Sequence, residues 1–81
     1  MDQSEALTKL QGVFDRVFVK KVSVSAVLTA KDVPGWDSLK QVALLIAIEK
    51  AFAVRLDLSE LEKCKNVGEM ANILAKRAGT P

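Results

Sequence analysis

The sequence predicts an all-α fold: a small four-helix bundle, three helices longer and one short, with a long first loop. Three observations carry that expectation. Apolar residues recur at helical spacing in three separate segments. Each segment follows a residue suited to capping a helix, Asp2, Ser38 or Asn66, with Glu or Gln three positions on. The one stretch that alternates like a strand has no second such stretch to pair with. The 81 residues are expected to form a single domain, 1–81, near the size at which one core only just suffices. A hydrophobic fraction of 49% supplies that core, and 27% charged residues with only six Gly and Pro argue against a disordered chain.

The first helix opens at Asp2, with Glu5 in capping-box spacing, and carries Leu7, Leu10, Phe14, Val17 and Phe18 on one face. Lys9, Gln11, Asp15 and Arg16 fall elsewhere, and the helix should end near Val19 or Lys20. Residues 21–36 then read as an ordered loop. Val22, Val24 and Ala26 alternate with Ser23, Ser25 and Val27, but a lone strand has no partner here. A loop of this length is uncommon in a compact domain and counts against the reading unless it is functional. Val22, Val24, Val27 and Leu28 are expected to pin it to the bundle.

Pro34-Gly35 marks a turn, and Ser38 with Gln41 matches a capping box opening residues 39–52, which contain neither Gly nor Pro. This second helix should reach about Ala53, with Leu39, Val42, Leu45, Ile46, Ile48, Glu49 and Phe52 turned inward. Ala43, Ala47 and Ala51 form an i, i+4, i+8 row on another face, with Lys40, Gln41 and Lys50 nearby. A helix apolar nearly all round is either buried or touched by something. Full burial is out of reach for so short a chain, so partner docking is expected over Lys40, Gln41, Ala43, Leu44, Ala47, Lys50 and Ala51.

Residues 57–62 can make only a short helix, capped by Asp57 or Ser59. Asn66, with Glu69 three positions later, opens the last helix, whose Val67, Met70, Ala71, Ile73, Leu74 and Ala78 face the core. Lys76 and Arg77 suit its negative end, and Gly79 should stop it. The core is expected to join Leu10, Phe14, Val17, Val42, Leu45, Phe52, Met70 and Leu74.

Composition excludes several functions. The net charge is +2: residues 1–37 balance five acids with five bases, and residues 38–81 hold seven bases and five acids. That is far from the basic stripe of a nucleic-acid binder, and an apolar would-be recognition helix argues further against DNA binding. With no histidine, the usual imidazole base and metal ligand are missing, so neither an enzyme nor a metal site is expected. The single cysteine, Cys64, forms no intramolecular disulfide and reads as a small core residue. The longest apolar run, residues 42–48, is too short for a membrane span, and no signal peptide is visible. A cytoplasmic monomer without membrane insertion is the expectation.

Ser38 lies where free backbone N–H groups and the positive end of a helix dipole would favour a phosphodiester. Taken alone, a serine at a helix start is simply a cap, Asp37 a turn residue and Trp36 a cover for the core. The surrounding pattern says more. Asp37-Ser38-Leu39, with Val42, Leu45, Ile48, Glu49 and Phe52 behind it and a closing helix at the right distance, resembles the acyl carrier proteins over residues 7–77. The resemblance implies a 4′-phosphopantetheine arm on Ser38 whose terminal thiol holds cargo as a thioester. It implies a cofactor site of Trp36, Asp37, Ser38 and Leu39, in which Asp37 is recognised by a phosphopantetheinyl transferase. The implied partners are that transferase and the acyl-loading and acyl-accepting enzymes of a lipid, polyketide or surface-polysaccharide pathway. Gly35-Trp36-Asp37-Ser38-Leu39 looks more like the stand-alone carriers of specialised pathways.

The second helix departs from that family. Where members usually carry acids, this chain has Lys40, Ala43, Lys50 and Ala51, leaving only Glu49. Poor docking to fatty-acid synthase enzymes built for acidic carriers is therefore expected. The alternative, from another class, is a non-catalytic helical interaction module without a prosthetic group, its alanine row bound to a partner helix.

Overall fold

The computed structural model describes residues 2–78. Among them, four helices run in the order α1 (Gln3–Val17), α2 (Ser38–Phe52), α3 (Leu58–Lys63) and α4 (Val67–Ala78), with one 3₁₀ turn at Ala30–Asp32 and no strand. Helix α1 packs against both α2 and α4, while the short α3 leans on α2.

Asp2 starts α1 by accepting the Glu5 N–H at 2.8 Å. The helix ends at Val17, two to three residues earlier than its periodicity suggests. Phe18 turns extended, yet its N–H still reaches the Phe14 carbonyl at 2.9 Å. That turn keeps the Phe18 ring in the core, 5.4 Å from Phe14, and leaves Val19 in solvent. Ala6 and Val13 join Leu10 and Phe14 in the buried face, whereas Leu7 and Val17 are half-buried.

The alternating stretch after α1 finds a partner that period alone could not reveal. The Gln11 side-chain amide donates to the Val22 carbonyl at 2.7 Å and accepts the Val24 N–H at 2.9 Å. One side chain thus stands in for a neighbouring strand. Farther on, the Ala26 and Leu28 carbonyls accept the Gly68 and Val67 N–H groups of α4 at 2.9 and 2.8 Å. The loop so satisfies two of the donors that a helix start leaves open. Val22, Val24 and Leu28 pack on the core as expected. Val27 does not: it occupies the corner of the turn closed by the Leu28 N–H on the Ser25 carbonyl and is 78% exposed. Val33, which the sequence reading passed over, is buried instead.

In α2 the buried row is Leu44, Ile48 and Phe52, with Leu45 and Ala47 half-buried beside it. This corrects the expected inward face. Leu39 is 81% exposed and Val42 and Ile46 are close to half exposed, while Leu44, assigned to docking, is completely buried. In a helix apolar on nearly every side, periodicity does not choose the inward face; the neighbours do. Ala53 ends the helix in a left-handed conformation, φ 54°, its N–H on the Glu49 carbonyl.

Asp57 caps α3, and Glu60 returns the contact by accepting the Asp57 N–H at 3.2 Å. Asn66 caps α4 through the Glu69 N–H at 2.9 Å, while Glu69 reaches the Lys65 N–H. Val67, Met70, Ala71 and Leu74 are buried, with Ile73 and Ala78 at the core's edge. Arg77 ties α4 to α3 by pairing with Glu60 and donating to the Arg55 carbonyl at 3.0 Å. The expected stop at Gly79 lies outside the described residues.

Candidate functional site

The approach to α2 is a chain of local hydrogen bonds. The Trp36 N–H reaches the Val33 carbonyl and the Asp37 N–H the Gly35 carbonyl. Gly35 makes the reversal at φ 86°, a conformation that glycine adopts without steric cost. Asp37 then opens the helix: its carboxylate accepts the Lys40 N–H at 2.9 Å and its carbonyl the Gln41 N–H at 2.9 Å.

The cap is therefore Asp37, and Ser38 is the first residue of the helix proper. A carboxylate carries a full charge toward the positive end of the dipole, so it prevails over the adjacent hydroxyl. Gln41 forms no box with Ser38 either; its side-chain oxygen accepts the indole N–H of Trp36. The consequence is chemical. Ser38 is exposed, and its hydroxyl makes no hydrogen bond to the described residues. The N–H groups of Ser38 and Leu39 are likewise uncommitted among these residues. An exposed, uncommitted hydroxyl and an anion-compatible helix end share one spot.

A cleft of about 470 Å³ adjoins this hydroxyl. Trp36, Ser38 and Val42 form one wall, and Leu28 of the loop, Leu61 of α3 and Met70 of α4 form the others. Its size is within the range of small-molecule sites. Trp36 holds two positions at once, packing edge-on to Phe14 with centroids 5.4 Å apart while also lining the cleft. A flexible chain joined to Ser38 through a phosphodiester fits here, with its charge at the helix end and an apolar-walled recess beside it.

Cys64 also lines the cleft, half-buried, its thiol directed at the Glu60 carbonyl at 3.4 Å. Burial, with the Glu69 and Glu60 carboxylates nearby, pushes this thiol above the ordinary cysteine range. It therefore holds less thiolate at neutral pH than an ordinary cysteine.

The residues expected to dock partners do not form one surface. Ala43, Lys50 and Ala51 are exposed, Ala47 is half-buried, and Leu44 is buried in the core. Gln41 belongs to the cleft with Trp36. Lys40 is half-buried and donates to the Val17 carbonyl at 3.2 Å, at the negative end of α1. Glu49, the remaining acid of α2, accepts the Leu56 N–H at 3.0 Å and so holds the chain entering α3. Sequence reasoning missed Leu28, Leu61 and Met70 as cleft walls, since no local pattern distinguishes them from other core residues. Among the described residues no cluster of His, Cys, Asp or Glu could hold a metal ion, and no helix is long and apolar enough to cross a membrane.

Comparison with known proteins agrees with this geometry. Residues 35–74 match the family model described as a phosphopantetheine attachment site. The chain is 27% identical to the holo acyl carrier protein of Geobacter metallireducens, known from a solution NMR structure. The two superpose with a TM-score of 0.72 over 95% of this chain and 85% of that one.

Proposed function

The chain belongs to the acyl carrier protein family, and we propose that Ser38 is where its 4′-phosphopantetheine is attached. It is a carrier and catalyses no reaction of its own. When bound, the arm supplies a terminal thiol on which cargo rides as a thioester. The protein's own residues do the rest. Asp37 caps α2 and thereby leaves the Ser38 hydroxyl available to a modifying enzyme. The Asp37 Oδ2 makes no bond to the described residues and is the natural contact for the transferase. The uncommitted Ser38 and Leu39 N–H groups would hold the arm's phosphodiester, and the walls at Trp36, Val42 and Leu61 would shelter the chain joined to it.

The observation that carries this reading is the exposed, uncommitted hydroxyl at the head of α2 beside the cleft. Incubation with coenzyme A, magnesium and a broad-specificity phosphopantetheinyl transferase should add the mass of one phosphopantetheinyl group. The gain should vanish in Ser38→Ala; an unchanged mass for the parent, or a gain that survives the substitution, overturns the assignment.

The proposal extends to the whole chain, 1–81, as one carrier unit acting as a cytoplasmic monomer with a transferase and with acyl-loading and acyl-accepting enzymes. The non-acidic α2 and the Gly35-Trp36-Asp37-Ser38-Leu39 string support service in a specialised lipid, polyketide or surface-polysaccharide pathway. Neither favours bulk fatty-acid synthesis.

A further inference from the structure

A second recess, of about 410 Å³, lies between α1 and α2, apart from the cleft at Ser38. Its apolar surface comes from Val13 of α1 and from Ala43, Ile46, Ala47 and Ala51 of α2, with Arg16 and Lys50 completing the lining. Those two cations differ from their neighbours. Lys40 is spent on the Val17 carbonyl, and Lys9 donates to the Ala51 carbonyl at 3.4 Å and lies over the Phe52 ring. Arg16 and Lys50 are exposed and make no hydrogen bond or ion pair with the described residues. No acidic residue lines the groove.

We propose that this groove seats an acidic amphipathic helix of a partner enzyme. An apolar side chain enters over Val13, Ile46 and Ala47, and two carboxylates on that helix meet Arg16 and Lys50. The charge pattern selects the occupant: two unpaired cations flank a concave apolar surface that offers nothing to a basic partner. The position suits a carrier. At 1.5 Å of rise per residue, Ala43 and Lys50 lie about 7.5 and 18 Å along α2 from Ser38. A helix seated there holds its enzyme beside the arm without covering the cleft. The inference rests on the carrier reading for its purpose, though not for the binding itself.

The probe is a synthetic helical peptide with leucines along one face flanked by glutamates, titrated into the ¹⁵N-labelled full chain in apo and holo forms. Amide shifts should concentrate at Val13, Arg16, Ala43, Ile46, Ala47 and Lys50, equally in both forms, and binding should weaken as salt is raised. Arg16→Glu and Lys50→Glu, both at exposed positions, should each lower affinity about ten-fold or more. A peptide with lysines in place of the glutamates should bind these variants better than the parent. Since the apo chain must bind too, failure to attach the arm at Ser38 would leave this result intact. Shifts confined to the Ser38 cleft, or equal binding of acidic and basic peptides, overturn the proposal. So does burial of these residues by anionic vesicles or by self-association in place of the peptide.

Discussion

Gly68 offers the sharpest test of how the first loop is held. A Cβ placed there would lie 2.6 Å from the Ala26 carbonyl oxygen and 3.1 Å from its Cα. Both are backbone atoms, so no side-chain rotation relieves the clash, and the loop must lift from α4 in Gly68→Ala. Lifting it strains or breaks the Gly68 N–H to Ala26 bond at 2.9 Å and the Val67 N–H to Leu28 bond at 2.8 Å. Each such bond contributes about 0.5–1.5 kcal/mol, and overpacking adds about 1–3 kcal/mol. Alanine's better helix propensity returns up to about 1 kcal/mol. The net expectation is a loss of about 2–3 kcal/mol, which in a domain of this size lowers the melting temperature by roughly 10–20 °C. Thermal unfolding by circular dichroism reads the stability, and hydrogen exchange at the Val67 amide reads the loop contact. A variant as stable as the parent, with that amide still protected, would show that the loop does not depend on this close approach. Leu28, Thr29 and Ala30 line the cleft, so the same lesion should also open its loop wall.

Two further outcomes follow from the core and from the α3–α4 tie. Phe52, buried and 5.4 Å below the Lys9 ammonium, should cost about 3–5 kcal/mol when truncated to Ala; a melting temperature near the parent's would contradict its placement. The Arg77 guanidinium, and after it the Asp57 N–H, hold the Glu60 carboxyl below the ordinary glutamate range. A lowered acid contributes stability above its unfolded value and loses it as pH falls through the folded one. The advantage of the parent over Glu60→Gln, small for so exposed a pair, should therefore shrink on acidification through and below the glutamate range. A gap in melting temperature that does not change with pH would rule out this ion pair as its source.

What could be read from the sequence follows what is local. Asp2 and Asn66 cap the helices they were expected to cap, and of the two candidates for α3 Asp57 takes the role, because a cap needs only the next three residues. Ser38 failed as a cap because two good acceptors stand side by side, and only geometry shows that Asp37 takes the role. The bonds holding the first loop were illegible for a different reason. Gln11 and Gly68 act on segments 11 to 42 residues away, through contacts that leave no periodic trace. The cleft had the same obscurity: its walls come from two loops and three helices.

The misreading of α2 has a physical cause that bears on function. This helix has no single apolar face because it serves three surroundings in turn. Leu44, Ile48 and Phe52 fill the core; Ser38, Gln41 and Val42 border the cleft; Ala43, Ala47 and Lys50 border the groove on α1. Each surrounding draws apolar residues, so their sum nearly encircles the helix and erases the periodic signal that marks a one-sided packer. The charges repeat the division. Lys40 looks like a docking group on the sequence but is drawn into holding α1, and Glu49 holds the approach to α3. Lys50, with Arg16 from α1, is left to face outward. A carrier must expose its arm, shelter what the arm holds and be gripped by its enzymes. A helix sharing those tasks among adjacent faces lets an enzyme grip one side while the cleft beside Ser38 stays open.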